Sequence, residues 1–205
     1  MKNIFSFLLL LFPLCGGAQV LDADALLDNV IAVMKAESPL QMDYSYTVYD
    51  GDEAVVCDKG VMKMDGKRYA LVMDKMGVWC DGETQWSYMQ EIDEVYITDA
   101  SSDEAQNLSP LFVVENYRSG CSKNVEMQNG AAVVTLQAPS GNDIERVVLC
   151  VNMGNNRLEP MNVFLQSQGR IEIILDKYQI KCKFASDAYK CPVEELGASE
   201  IVDMR

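Results

Sequence analysis

The chain contains no histidine. That removes the commonest general base and the commonest zinc ligand, and with them histidine-dependent hydrolysis and imidazole-held metal centres. Seven cysteines are present but no C-x-x-C pair, so zinc ribbons and thioredoxin-type redox chemistry lack their motif. Neither a G-x-S-x-G nucleophile elbow nor a glycine-rich phosphate loop occurs. Positive charge is scarce: 17 Lys and Arg stand against 31 Asp and Glu. Such a surface repels phosphate backbones, so nucleic acid is not an expected partner. Beyond residue 14 no apolar run approaches the roughly 20 residues that a membrane-spanning helix needs.

What is present begins with an export signal. Lys2 forms a short positive region, Ile4–Leu14 is apolar, and Gly16-Gly17-Ala18 offers the small residues a signal peptidase reads. Cys15 raises the alternative of a lipidated N-terminus, but Pro13 and Leu14 before it are poor residues for that signal. Residues 1–18 are therefore expected to be a signal peptide cleaved after Ala18, and residues 19–205 a single exported domain. Without Lys2 that domain carries 31 acidic and 16 basic residues, a net charge of about −15. Six cysteines remain: Cys57, Cys80, Cys121, Cys150, Cys182 and Cys191. Cys57, Cys80 and Cys150 lie in apolar stretches, where cysteine serves as a small hydrophobe. Cys182 and Cys191 flank a loop and are the first candidates for a disulfide.

Residues 22–37 have helical periodicity, with Leu26, Leu27, Val30, Ile31 and Met34 on one face and Pro39 beyond the end. Strands follow. Tyr44, Tyr46 and Val48 alternate before Asp50-Gly51, and Val55–Met64 forms a partner. Asp65-Gly66 leads into Arg68–Met73, then Met76–Cys80. The repeated Asp-Gly turns predict an antiparallel meander. Ala100–Gly120 breaks the rhythm with two short helical stretches, the second opening at Ser109-Pro110. Strands resume at 125–127, 132–136, 145–152, 161–166 and 170–180, and a short terminal strand closes the chain. An antiparallel sheet this long must curl as its twist accumulates. The expected fold is α+β, mostly β: an incomplete, half-open antiparallel β-barrel with a helical lid.

The densest signal is Cys80–Asp99, CDGETQWSYMQEIDEVYITD. Asp81-Gly82 turns the chain, and Trp86 and Tyr88 then share one strand face while Ser87 and Met89 share the other. The two aromatics are either ordinary core or the lining of an apolar cavity. This hairpin, the SPLFVVENYRSG helix and the Ile201-Val202-Asp203-Met204-Arg205 tail resemble the LolA-type outer-membrane lipoprotein carrier family. The resemblance covers nearly the whole of the expected exported part of the chain in order, and its motifs mark a fold rather than an active site.

The resemblance implies a periplasmic, monomeric carrier that shelters the acyl chains of lipoproteins, with no enzymatic activity, cofactor or metal. It also implies an inner-membrane lipoprotein-releasing transporter and an outer-membrane acceptor as partners. Met62, Met64, Trp86, Tyr88, Leu111 and Phe112 become candidate cavity residues, and Leu27, Ile31 and Met34 candidate lid residues. Where carriers of the best-known branch have a lid-holding arginine followed by proline, this chain has Asp65-Gly66, and Arg68 is the nearest arginine. The many methionines suit a surface that must accept variable apolar shapes. Two other readings use the same residues: a lipid or lipoprotein sensor of this fold, and an exported hydrolase using paired carboxylates. Against the hydrolase, Asp50, Asp65 and Asp81 are accounted for by turn geometry.

Intact mass of the protein recovered from its own host should correspond to a chain beginning at Gln19. A diacylglyceryl-modified Cys15 would instead make the protein membrane-anchored.

Overall fold

The computed structural model describes residues 21–102, 120–141, 143–167 and 169–205. The predicted helices between 103 and 118, the signal segment, Leu111 and Phe112 lie outside them.

Helix α1 spans Ala23–Glu37; the Asp22 side chain accepts the Asp24 amide at 2.9 Å as its N-cap. Eleven strands follow before the C-terminal segment: β1 Leu40–Asp50, β2 Glu53–Asp65, β3 Arg68–Met73, β4 Met76–Cys80, β5 Thr84–Met89, β6 Glu94–Asp99, β7 Ser122–Gln128, β8 Ala131–Gln137, β9 Ile144–Asn152, β10 Leu158–Leu165 and β11 Gly169–Gln179. A four-residue helix, α2 (Val193–Leu196), and β12 (Glu200–Asp203) complete it. At the predicted Asp-Gly turns Gly51, Gly66 and Gly82 have φ of 57°, 62° and 99°, values that L side chains avoid.

The twelve strands of the described residues form one sheet, in the order β12-β6-β5-β4-β3-β2-β1-β11-β10-β9-β8-β7. Two meanders, β1–β6 and β7–β11, are fused where β1 pairs antiparallel with β11. Twist of about 20–25° per strand pair accumulates to most of a full turn, and the sheet curls without closing. Strands from both halves accordingly meet around α1. Leu40, Met62, Met64 and Val78 from one half share a core with Val134, Leu136, Val147 and Leu149 from the other. Leu26, Leu27, Val30, Ile31 and Met34 of α1 fill that core, each worth about 1.5–3 kcal/mol of apolar burial. The fold is the expected half-open barrel with a helical cover.

Three features depart from expectation. β12 pairs parallel to β6, not antiparallel, because the C-terminal segment crosses the sheet before adding its strand. That crossing includes α2, whose four residues are too few to leave a periodic pattern. Strand β10 starts earlier than predicted and contains Pro160, whose missing N–H argues against a place inside a strand. The register with β9 shifts between Leu158 and Met161, and a proline is tolerated at such a break.

The crossing segment seals the convex face. Tyr189 packs with Ala70 and Trp79, and Trp86, Tyr88, Phe184 and Leu196 lie against them. Phe184 and Tyr189 meet edge to face at 5.9 Å, and Arg68 stacks 4.9 Å above the Tyr189 ring. Tyr189 is only 2% exposed, its hydroxyl has no hydrogen-bond partner, and burial pushes that phenol up to about 12.

Tyr189→Ala should therefore destabilise the fold by about 3 kcal/mol, read from urea unfolding. Tyr189→Phe, which keeps the ring and deletes the unpaired hydroxyl, should be neutral or stabilising.

Candidate functional site

Cross-strand register sorts the concave face of β1–β6 into rows. The deepest contains Leu40, Met64, Tyr69, Cys80 and Gln85, paired in succession. Gln85 is 2% exposed, and the Tyr69 hydroxyl donates to its Oε1, which satisfies the one buried polar side chain of that row. The next row runs Met42, Met62, Leu71, Val78, Ser87 and Tyr96. The third runs Tyr44, Gly60 and Met73, then Met76 and Met89 across the β3–β4 turn. Exposure is greatest at the β3–β5 end of the third row, where Met89 reaches 43%, against 2% at Met64 and 9% at Tyr44. Leu71, Met73 and Met76 are only partly buried. A closed, buried floor thus grades into a methionine-rich rim that α1 leaves partly open.

The covering helix is held at both ends. Near its start Lys123 Nζ of β7 lies 2.6 Å from Asp24. At its end Arg157, in the β9–β10 turn, donates from Nε and Nη2 to Glu37 at 2.5–3.1 Å. The Arg157 guanidinium also stacks 4.5 Å from the centre of the Tyr178 ring. Lys181 donates to the carbonyls of Ala36 and Ser38, the right charge for a helix C-terminus. Glu37 is the wrong charge there, and Arg157 compensates it. Hydrogen bonds from Arg157 hold the Glu37 carboxyl below the usual glutamate range, against the opposing effect of burial. Beside this clamp a polar cleft of 340 Å³ is lined by Asn152, Arg157, Lys177 and Tyr178 among others.

The residues singled out in the sequence divide between the two faces. Met62 and Met64 lie on the concave face, and Leu27, Ile31 and Met34 on the buried side of α1. Trp86 and Tyr88 lie on the convex face under the C-terminal segment, because Trp86 pairs with Trp79 and not with the Cys80 row. Arg68 points to that same side, paired with Asp65 and stacked on Tyr189, away from α1. The arginine that grips α1 is Arg157, which the sequence reading missed. Its signal was indirect: Glu37 at a helix C-terminus opposes the macrodipole and calls for a cation.

The hairpin motif and the tail that carried the resemblance are spatial neighbours. Asp81 accepts the amides of Glu83 and Thr84 at 3.1 and 2.9 Å. Arg205 Nη1 reaches Thr84 Oγ1 at 3.4 Å. Arg205 also grips Asp203 at 2.6 and 2.9 Å and holds its carboxyl down at about 2.

Cys182 and Cys191 are separate thiols, as are the other four cysteines. Cys182 is tied by its amide to the Pro39 carbonyl at 2.7 Å, while Cys191 is packed into the convex-face cluster, where burial pushes its thiol up to about 11. Among the described residues no three His, Cys, Asp or Glu side chains gather to hold a metal, and no helix is long and apolar enough to cross a membrane.

No protein-family model and no curated protein matches the chain. Solved structures do. An uncharacterized conserved protein from Thermus thermophilus is similar at a TM-score of 0.59 with 10% identity, over 88% of this chain and 98% of that one. A LolA superfamily protein from Nitrosomonas europaea is similar at 0.46 with 9% identity, over 84% and 99%. A putative outer membrane lipoprotein-sorting protein domain from Vibrio parahaemolyticus is similar at 0.46 with 8% identity, over 85% and 99%. The likeness to the Thermus protein extends over nearly its whole length and shows a shared fold.

Because Glu37 is shifted down in the folded state, its contribution is present above the ordinary glutamate value and lost as the pH falls through the lowered one. Glu37→Gln should cost about 1 kcal/mol at pH 7 in urea unfolding, and the gap from wild type should narrow as the pH drops below about 4. A gap that persists unchanged at about pH 2 would mean that the charge on Glu37 contributes nothing.

Proposed function

We propose that the protein is an exported, periplasmic carrier that shelters the acyl chains of lipoproteins against the concave face of its sheet. The observation that carries this reading is the gradation on that face, from the sealed floor at Leu40 and Met64 to the partly open rim at Leu71, Met73 and Met76. Each acyl methylene removed from water is worth about 0.8 kcal/mol, so chains crossing an aqueous compartment need a broad apolar surface. They also need one that lets go. Methionines supply contact without a rigid shape, and such a grip asks for no covalent chemistry. The sequence resemblance to LolA-type carriers supports the same reading. It adds a releasing transporter in the inner membrane and an acceptor at the outer membrane as partners.

The helix α1, clamped through Asp24 and Glu37, acts in this scheme as a fixed wall of the site. Leu27, Ile31 and Met34 stay in the core when cargo binds, and the site opens at the methionine rim.

The test is a fluorescent diacylated peptide titrated into the purified protein. Intrinsic fluorescence serves poorly, because Trp79 and Trp86 belong to the convex-face cluster. Met73→Asp should weaken binding by about tenfold or more, about 1.4 kcal/mol. Val72→Asp, one residue away on the opposite face and 41% exposed, should leave binding intact. Equal effects of the two substitutions would place the site elsewhere. Mass spectrometry of native protein would identify the cargo: acylated protein for a carrier, free lipid for a sensor.

A further inference from the structure

We propose that the Tyr44 hydroxyl is the polar contact of this site, donating a hydrogen bond to the ester or amide carbonyl of a bound acyl chain and so distinguishing acylated cargo from free fatty acid. This inference rests on the carrier reading and adds a specificity residue to it.

Tyr44 stands on β1 in the third row of the concave face, between Leu175 of β11 and Gly60 of β2. Its ring lies across Gly60: a Cβ at that position would collide with the ring Cζ and the hydroxyl. Only glycine permits this approach, so the ring extends along the row toward Met73, the next residue paired with Gly60. The residue is 9% exposed, and its hydroxyl is buried with no hydrogen-bond partner. A buried polar atom without a partner is destabilising and uncommon. Here it stands on the apolar face proposed to hold acyl chains, one row above Met62 and Leu71.

The neighbours decide what the hydroxyl can bind. Burial, with the nearby Tyr46 and Asp58, raises the Tyr44 phenol well above its ordinary value, so it remains an O–H donor throughout the physiological range. It lacks an acceptor. Asp58 lies opposite Tyr46 in the adjoining row toward the mouth, and Asp58 and Asp74 both act on the Tyr46 phenol. A ligand carboxylate at Tyr44 would face this negative pair, whereas an ester or amide carbonyl offers an acceptor oxygen without charge. The row order sets the depth: carbonyl at Tyr44, methylenes running down over Met62 and Leu71, headgroup toward the mouth.

The experiment compares three probes of equal chain length, an acyl methyl ester, the corresponding alkyl ether and the free fatty acid, against wild type and Tyr44→Phe. The phenylalanine retains the ring over Gly60, and its melting temperature should equal or exceed that of wild type. Wild type should bind the ester about fivefold more tightly than the ether, and the acid most weakly. In Tyr44→Phe the ester should fall to the affinity of the ether, with the ether unchanged. A carbonyl-labelled ester should show a lower infrared stretching frequency bound to wild type than bound to the variant. If wild type and variant bind the ester equally well, the hydroxyl makes no contact and this assignment fails, while the concave-face reading stands. If wild type binds none of the three probes, both fail together.

Discussion

Everything in this molecule depends on strand β1 being bonded on both sides. One edge holds β2, its neighbour in sequence, and the other holds β11, the last strand of the second meander. Without the second seam there would be two separate meanders, each with an uncovered apolar face. With it there is one sheet whose ends curl toward each other, and α1, which immediately precedes β1, is delivered into the resulting hollow. The clamps at Asp24 and Glu37 then join the helix to β7 and to the β9–β10 turn, both in the second meander. A helix that begins the first half is thus locked by residues of the second.

Strand positions were legible in the sequence because they depend on local rules. Asp-Gly turns fixed the hairpins, and alternation fixed which residues share a face within each strand. Alternation does not say which face is concave. Trp86 and Tyr88 were correctly placed together, but only the pairing of Trp86 with Trp79 shows that they face away from Met62 and Met64. Phase between strands is a property of register, and register is set by contacts between residues far apart in sequence. The parallel docking of β12 was hidden for the same reason: its partner β6 lies far earlier in the chain, and so short a strand carries no direction.

The site was legible in composition more than in position. Methionine abundance and the missing histidine pointed to apolar capacity rather than catalysis. What could not be read was which arginine would hold the covering helix. Arg68 is close in sequence to the candidate strand but belongs to the convex face, stacked on Tyr189. Arg157 lies in an ordinary polar turn, and only the fold brings it to Glu37. The orphan hydroxyl of Tyr44 was equally invisible, since it arises from one glycine across the strand. A tyrosine in a strand draws no notice until its neighbour's missing side chain is seen.

The β1–β11 seam also sets the order of assembly. Ser45 and Asp176, neighbours across it, are separated by 131 positions in the chain, so during synthesis the first meander must wait for most of the remaining chain to appear. Through that interval its apolar face and the flank of β1 stay open, a topology of distant pairings that folds slowly and is prone to wrong partners. The aromatic convex face waits longer still, since Phe184 and Tyr189 come after β11. A protein whose finished form keeps apolar surfaces out of water would, while being made, depend on the same service from others.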